Sequence, residues 1–210
     1  MKRLFLLVFT LVFFLDADAQ SESNFVSVEL PRGVQLQLPK GWWLLGDDYN
    51  QIIQTSVEAA LDLSGVRLQD GQNTNLIAAN SMPRSTYAAL RVDSTIPASI
   101  SLGMFSTITP ADVRDLEGEM RRNFQLMLPQ QGLQLIEFLG TRIEKISGYP
   151  AFVTEYRRTG PKGPVWVQII HIVTDNQDIR INLSYRESEV ALWKPVIGKI
   201  RQSISISRWP

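Results

Sequence analysis

One histidine, His171, is the side chain of this sequence whose ordinary titration lies near neutrality, and it sits in the most apolar segment, 165–173. As a general base it would need an activated partner within reach. No Gly-x-Ser-x-Gly elbow and no Ser-x-x-Lys pair presents a serine, and no nucleophile is tied to His171 by spacing. A core histidine with a hydrogen-bonded ring accounts for it more simply. A hydrolase using His171, or two carboxylates that meet only in the fold, is the remote alternative. Asp47-Asp48 with Asp62 or Asp70 could hold a cation, but the spacing is not that of a calcium loop, and helix capping explains the pair. With one histidine and no cysteine there is no clustered zinc site. No glycine-rich phosphate loop occurs either. The sequence therefore assigns no catalytic, cofactor-binding or metal residue, and the expectation is a protein that is not an enzyme.

Recognition chemistry is better represented. Adjacent residues of an extended segment point to opposite sides, so Trp42-Trp43 can place one indole in the core and keep the other near the surface. A surface tryptophan can anchor a partner or ligand, although core or lid packing serves both rings as well. The second candidate is the polar parity of a strand near 179–186. Arg180, Asn182, Ser184 and Arg186 alternate with Ile179, Ile181, Leu183 and Tyr185. Displayed together, the polar row could recognise carboxylate or phosphate groups; a plain solvated sheet face is the alternative. Trp42, Trp43, Arg180, Asn182, Ser184 and Arg186 form the candidate binding surface. Asn182-Leu183-Ser184 matches a glycosylation sequon but falls inside this strand.

The elements that must position these residues follow from periodicity. Phe25 to Leu38 alternates as two short strands around Pro31-Arg32-Gly33. Asp47 to Ser64 reads as a helix with Ile52, Ile53, Val57, Ala60 and Leu61 at helical spacing, stopped by Gly65. Strands follow near 75–80 and 87–92, and 93–108 is ambiguous. The clearest helix is Pro110 to Leu128: Thr109 caps it, Asp112 stands at the capping-box position, and Val113, Leu116, Met120, Phe124 and Met127 make one apolar stripe. Pro129 and Gly132 end it.

Leu133 to Ile146 is extended with a break at Gly140. After Gly148-Tyr149-Pro150, strands at 151–159, 165–173 and 179–186 are joined by short loops, which implies an antiparallel meander. The middle strand is apolar on both parities and needs cover on both sides. Ser188 to Ser203 is a closing helix capped by Ser188, with Pro195 forcing a kink or two short helices, and the tail from Ser205 is loosely held. Antiparallel strands covered by helices make an α+β domain.

The ends and the composition bound the setting. Lys2-Arg3, an apolar run over 4–15 broken only by Thr10, and Ala17-Asp18-Ala19 form a secretory signal peptide with cleavage after Ala19. The run is well short of the roughly 20 residues that span a bilayer, so no membrane span is expected after cleavage. Residues 20–210 then make a single domain, periplasmic or secreted. An exported chain without cysteine suits a bacterial periplasm. Hydrophobic residues at 44% and charged residues at 20% are ordinary for a globular chain. Net charge is zero, and Arg121-Arg122 and Arg157-Arg158 are isolated surface pairs, so nucleic acid is not an expected partner.

The order of parts resembles a known family. Leu38-Pro39-Lys40-Gly41-Trp42 is similar to an LP-x-GW opening. The amphipathic helix follows, then Gly148-Tyr149-Pro150-Ala151, a strand ending in Tyr156-Arg157, the long apolar strand, Ile181-Asn182-Leu183-Ser184-Tyr185, and a helix running into Ile200-Arg201-Gln202-Ser203-Ile204. This resembles the PsbP-like fold, shared by the extrinsic photosystem II subunit, a Ran-binding nuclear import factor and DcrB-like bacterial envelope proteins. The resemblance covers roughly 26–206, with 47–64 and 93–108 fitting less well. It implies an α/β/α sandwich around an antiparallel sheet and no catalytic residues. The role it implies is a binding or accessory module, here for an envelope protein; a small-molecule or lipid binder is the alternative. No photosynthetic role carries over.

Overall fold

The computed structural model describes residues 25–29, 33–40, 42–45, 74–80, 86–95, 101–175 and 177–207. The signal peptide at 1–19, the helix expected at 47–64 and the carboxylates Asp47, Asp48, Asp62 and Asp70 lie outside them.

Among the described residues, ten strands fall into two antiparallel sheets. The small sheet holds β1 (Phe25–Glu29), β2 (Val34–Pro39) and β10 (Ser205–Ile206), in the order β1-β2-β10. The large sheet holds β3 (Trp42–Leu45), β4 (Thr74–Asn80), β5 (Ala88–Thr95), β6 (Leu135–Ile146), β7 (Tyr149–Arg158), β8 (Val165–Val173) and β9 (Asp178–Arg186). Its order is β3-β4-β5-β9-β8-β7-β6. Helices α1 (Leu102–Phe105) and α2 (Pro110–Gln130) lie on one face, and α3 (Val190–Gln202) lies on the other with the small sheet. This is the expected α+β sandwich, with β6 to β9 as the expected meander.

The α3 face carries the main core. Ile170, Ile172, Ile179, Ile181 and Leu183 of β8 and β9 meet Leu36 and Leu38 of β2 and Ile200 of α3, all with 1% exposure or less. Burying one such side chain stabilises by about 1.5–3 kcal/mol relative to leaving it in water. On the α2 face, Val165 and Val167 of β8 pack with Tyr156, Leu128 and Leu133, and Val173 packs with Phe105 and Phe152. The two-sided apolar strand is thus core on both sides.

Helix α2 begins as its sequence requires. The Thr109 hydroxyl accepts from Asp112 N–H at 3.3 Å, and the Asp112 carboxylate accepts from Thr109 N–H at 2.7 Å. The Thr109 hydroxyl and N–H together hold the Asp112 carboxyl below its usual value. The helix passes through Pro129 to Gln130, and its last carbonyls are taken by Gln131 N–H on Leu128 and Gly132 N–H on Pro129, each at 3.0 Å. Its buried C-terminal residue is Leu128, not Met127, which is 54% exposed. The chain folds back so that Leu133 donates to the Leu128 carbonyl at 2.9 Å and closes over its side chain.

Other differences are local. The break in β6 is a pair of register shifts, at Leu135/Glu137 and Phe138/Gly140, with Gly140 at φ 128°. The β6–β7 turn is centred one residue earlier than expected, on Ser147 (φ 52°) and Gly148 (φ 84°), the positive pair that suits a two-residue hairpin. Tyr149 and Pro150 already belong to β7. Ser188 does not cap α3; a 3-10 turn, Glu187–Glu189, precedes it, and the helix runs on through Pro195. As far as Ser207 the tail is held rather than loose. Ile206 is 8% exposed and donates to Ser147 Oγ at 2.9 Å, and Ser207 donates to the Gly33 carbonyl at 2.9 Å. A Cβ on Gly33 (φ 77°) would meet Ser207 Oγ at 2.6 Å, so this closure needs glycine. Arg158 is not at the surface: it is 4% exposed, with Nη1 donating to the Thr159 carbonyl at 2.9 Å.

Candidate functional site

Antiparallel register lays the α2 face of the large sheet out in rows running across the strands. One row is Asp93 of β5, Arg180 of β9, His171 of β8 and Phe152 of β7. The next is Arg91, Asn182, Ile169 and Thr154. The next is Ala89, Ser184, Val167 and Tyr156. The polar parity of β9 therefore does share one face, but it is not displayed as a unit.

Arg180 is exposed. Asn182 is half-buried, with its Oδ1 enclosed. Ser184 is buried and hydrogen-bonded to Tyr87 Oη at 3.0 Å. Arg186 is turned onto Glu189. The cause is the neighbouring strand: Tyr87 folds over Ser184 just before β5 begins, which alternation within β9 cannot reveal.

His171 lies in the middle of this face, its side chain 21% exposed. Its Nε2 is 3.6 Å from Asp178 Oδ2, beyond a good hydrogen bond. Burial pulls its pKa below 6.5, Asp178 opposes that, and Arg180 adds to it. Ser184 is two register rows away and already engaged with Tyr87, so β9 brings no free hydroxyl to the imidazole. Among the described residues no three His, Cys, Asp or Glu side chains gather to hold a metal ion.

The tryptophan pair is divided as an extended segment requires. Trp42 is half-buried, its ring edge-on to Trp193 of α3 with centroids 6.1 Å apart. It is a packing residue between β3 and α3. Trp43 is described only in its backbone, paired with Ala79, and its side chain lies outside what is described.

Two features were not among the sequence candidates. The first is Glu189, whose carboxylate accepts from Tyr87 N–H at 2.7 Å and Trp193 Nε1 at 3.0 Å and pairs with Arg186. It ties the starts of β5 and α3 to the end of β9. Close by, Arg157 is clamped between Glu137 and Glu187, which together hold its guanidinium protonated. The acids in these networks are separated by tens of residues from most of their partners, so only pairing register unites them.

The second is the outer side of β6. Each register shift skips one large aliphatic residue, Ile136 and Leu139, and leaves it 44% and 46% exposed. Bulges re-aim side chains in this way. Helix α2 runs antiparallel alongside. Glu117 reaches Thr141, Phe124 lies 6.2 Å from the Phe138 ring, and Leu128 meets Leu133. The exposed Leu126 and Met127 belong to the same end of the helix. The only sequence sign of the bulges was the failure of alternation around Gly140.

No protein-family model matches the chain, and no curated protein matches it. Solved structures do. Cyanobacterial PsbP (CyanoP) from Synechocystis sp. PCC 6803 superposes with a TM-score of 0.56 at 13% identity, over 88% of this chain and 93% of that one. LpqN of Mycobacterium tuberculosis, described as involved in cell envelope biogenesis, superposes with a TM-score of 0.50 at 10% identity, over 87% and 90% of the two chains. The protein has the PsbP-like fold. No described helix is long and apolar enough to cross a membrane.

Proposed function

We propose that this is an exported, non-enzymatic accessory protein that binds another protein of the cell envelope. The observation that carries the reading is the exposed aliphatic side chains of β6 and the end of α2: two bulges expel Ile136 and Leu139, and Leu126 and Met127 are exposed near the helix C-terminus. Large apolar side chains left in water at the same end of the α2–β6 pair favour a protein partner. The N-terminal basic and apolar run supports export, and the fold is shared with a protein described as involved in cell envelope biogenesis. The docking face is therefore moved from Trp42, which is spent on Trp193, to these side chains.

The test is crosslinking in cells with a tagged chain exported by its own leader, after fractionation has located it. The expected result is one envelope protein that crosslinks to the natural chain and is lost from Ile136→Asn/Leu139→Asn. Equal capture by both chains, or recovery of the protein in the cytoplasm, overturns the reading.

A further inference from the structure

Among the described residues strand β6 is an edge of the large sheet, and its two halves differ. From Leu135 to Gly140 the bulges twist the strand, and Glu117 of α2 takes the Thr141 N–H at 2.6 Å. A Cβ on Gly140 would stand 3.2 Å from that carboxylate, so the glycine admits it. These are the devices by which an edge is closed to further pairing. From Thr141 to Ile146 the register with β7 is regular. Because Thr141 points its N–H away from β7, alternation directs those of Ile143 and Lys145 outward as well. Ile143 is 41% exposed.

We infer that this regular half is a self-pairing edge, and that a second copy of the chain adds its own β6 antiparallel to it about a two-fold axis at Ile143. The argument is self-complementarity. With Ile143 opposite Ile143 of the second copy, Arg142 falls opposite Glu144 and Glu144 opposite Arg142. Thr141 falls opposite Lys145. Ile143 exchanges both backbone bonds with its counterpart; at the two outer pairs Glu117 keeps the Thr141 N–H, so those pairs meet through side chains alone. The Arg142–Glu144 pairs are non-hydrogen-bonded ones, where side chains stand closest. Both charges are already engaged within the chain, Arg142 also meeting Glu155 at 2.7 Å and Glu144 also meeting Arg201 of α3. Arg142 is 48% exposed and Glu144 27%, already linked within the chain at 2.6 Å, so a second copy would extend an existing network. An isologous contact closes on itself and gives a dimer rather than a fibre.

One strand pair is small beside the roughly 1,200 Å² of a standard interface, so association is expected to be weak. Sedimentation of the purified protein alone, from about 10 μM to about 1 mM, should show a monomer passing to a dimer. Arg142→Glu and Glu144→Arg should each raise the dissociation constant at least about tenfold, since each sets like charges opposite across the axis. A one-to-one mixture of the two variants should dimerise again, because the acidic chain then faces the basic one. Recovery on mixing also rules out misfolding as the cause, and Ile143→Lys should abolish association with or without mixing. A natural chain that stays monomeric throughout overturns the inference. So do single variants that associate as the natural chain does, or folded variants that fail to recover when mixed. Because no other protein is present, this outcome is independent of the proposed envelope partner.

Discussion

The two faces of the large sheet are built to different standards. The face under α3 and the small sheet is one continuous aliphatic cluster drawn from β2, β5, β7, β8, β9 and α3. The face under α1 and α2 is two smaller clusters, one around Tyr156 and Val167 and one around Phe152 and Val173. Between them stand Arg180, Asn182 and His171. The difference follows from what covers each face. The α3 side has a helix and a second sheet set over its central strands. On the other side α2 lies against the edge strand β6, and the described central rows carry polar residues. Tyr156 shows the character of the smaller clusters: it keeps a hydroxyl inside one, and burial pushes its pKa up to about 12. One face supplies cohesion, while the other and its outer edge hold the unspent chemistry.

Removing a side chain from the continuous cluster should sharpen the contrast most. Leu183→Ala is expected to cost about 2–5 kcal/mol, read by urea or thermal melts, because the rigid surroundings cannot collapse into the cavity. A loss under about 1 kcal/mol would erase the distinction between the faces. Next comes Glu189→Ala, expected to cost about 1–3 kcal/mol by stranding the Trp193 indole N–H and the Tyr87 amide. Glu189→Gln should recover part of that, since its amide oxygen still accepts.

The third effect is a slope with pH. His171 has a folded pKa below its free value of 6.5 because burial resists the proton. The unfolded chain therefore binds more protons in the window just under 6.5, and stability falls as pH drops through it toward the folded value. Denaturant melts from about pH 7.5 to 5 should show this decline, and His171→Gln should remove its share. A slope unchanged in the variant would mean that the imidazole is not held neutral by burial. The smallest effect belongs to the exposed end of α2: Leu126→Gln, at a position 67% exposed, should shift stability by no more than about 0.5 kcal/mol. A larger loss would show that this side chain serves the fold rather than a partner.

Legibility divided along a similar line. The α2 cap, the strands from β5 to β9 and the meander were all readable from local spacing and short loops. The opening strand pair and the Trp42-Trp43 segment were readable too. Of the candidate surface, the shared parity of Arg180, Asn182, Ser184 and Arg186 was right, yet Arg180 alone among them is exposed. Ser184 and Arg186 are claimed by Tyr87 and Glu189, which lie on other elements. Arg158, whose neighbour Arg157 is indeed a paired surface cation, goes inside.

By itself the sequence determined periodicity, caps and turns, because these are interactions within a few residues of one another. Thr109 with Asp112, and Ser147 with Gly148, are chain neighbours and need no distant contact to form. Only the tertiary structure decided that β10 returns to β2, that Trp42 meets Trp193, that α2 settles over β6, and that two bulges turn Ile136 and Leu139 outward. Those outcomes depend on which of several compatible surfaces meet across the chain. That choice is made by the free energy of the whole packed core, not by the local preference of any one segment.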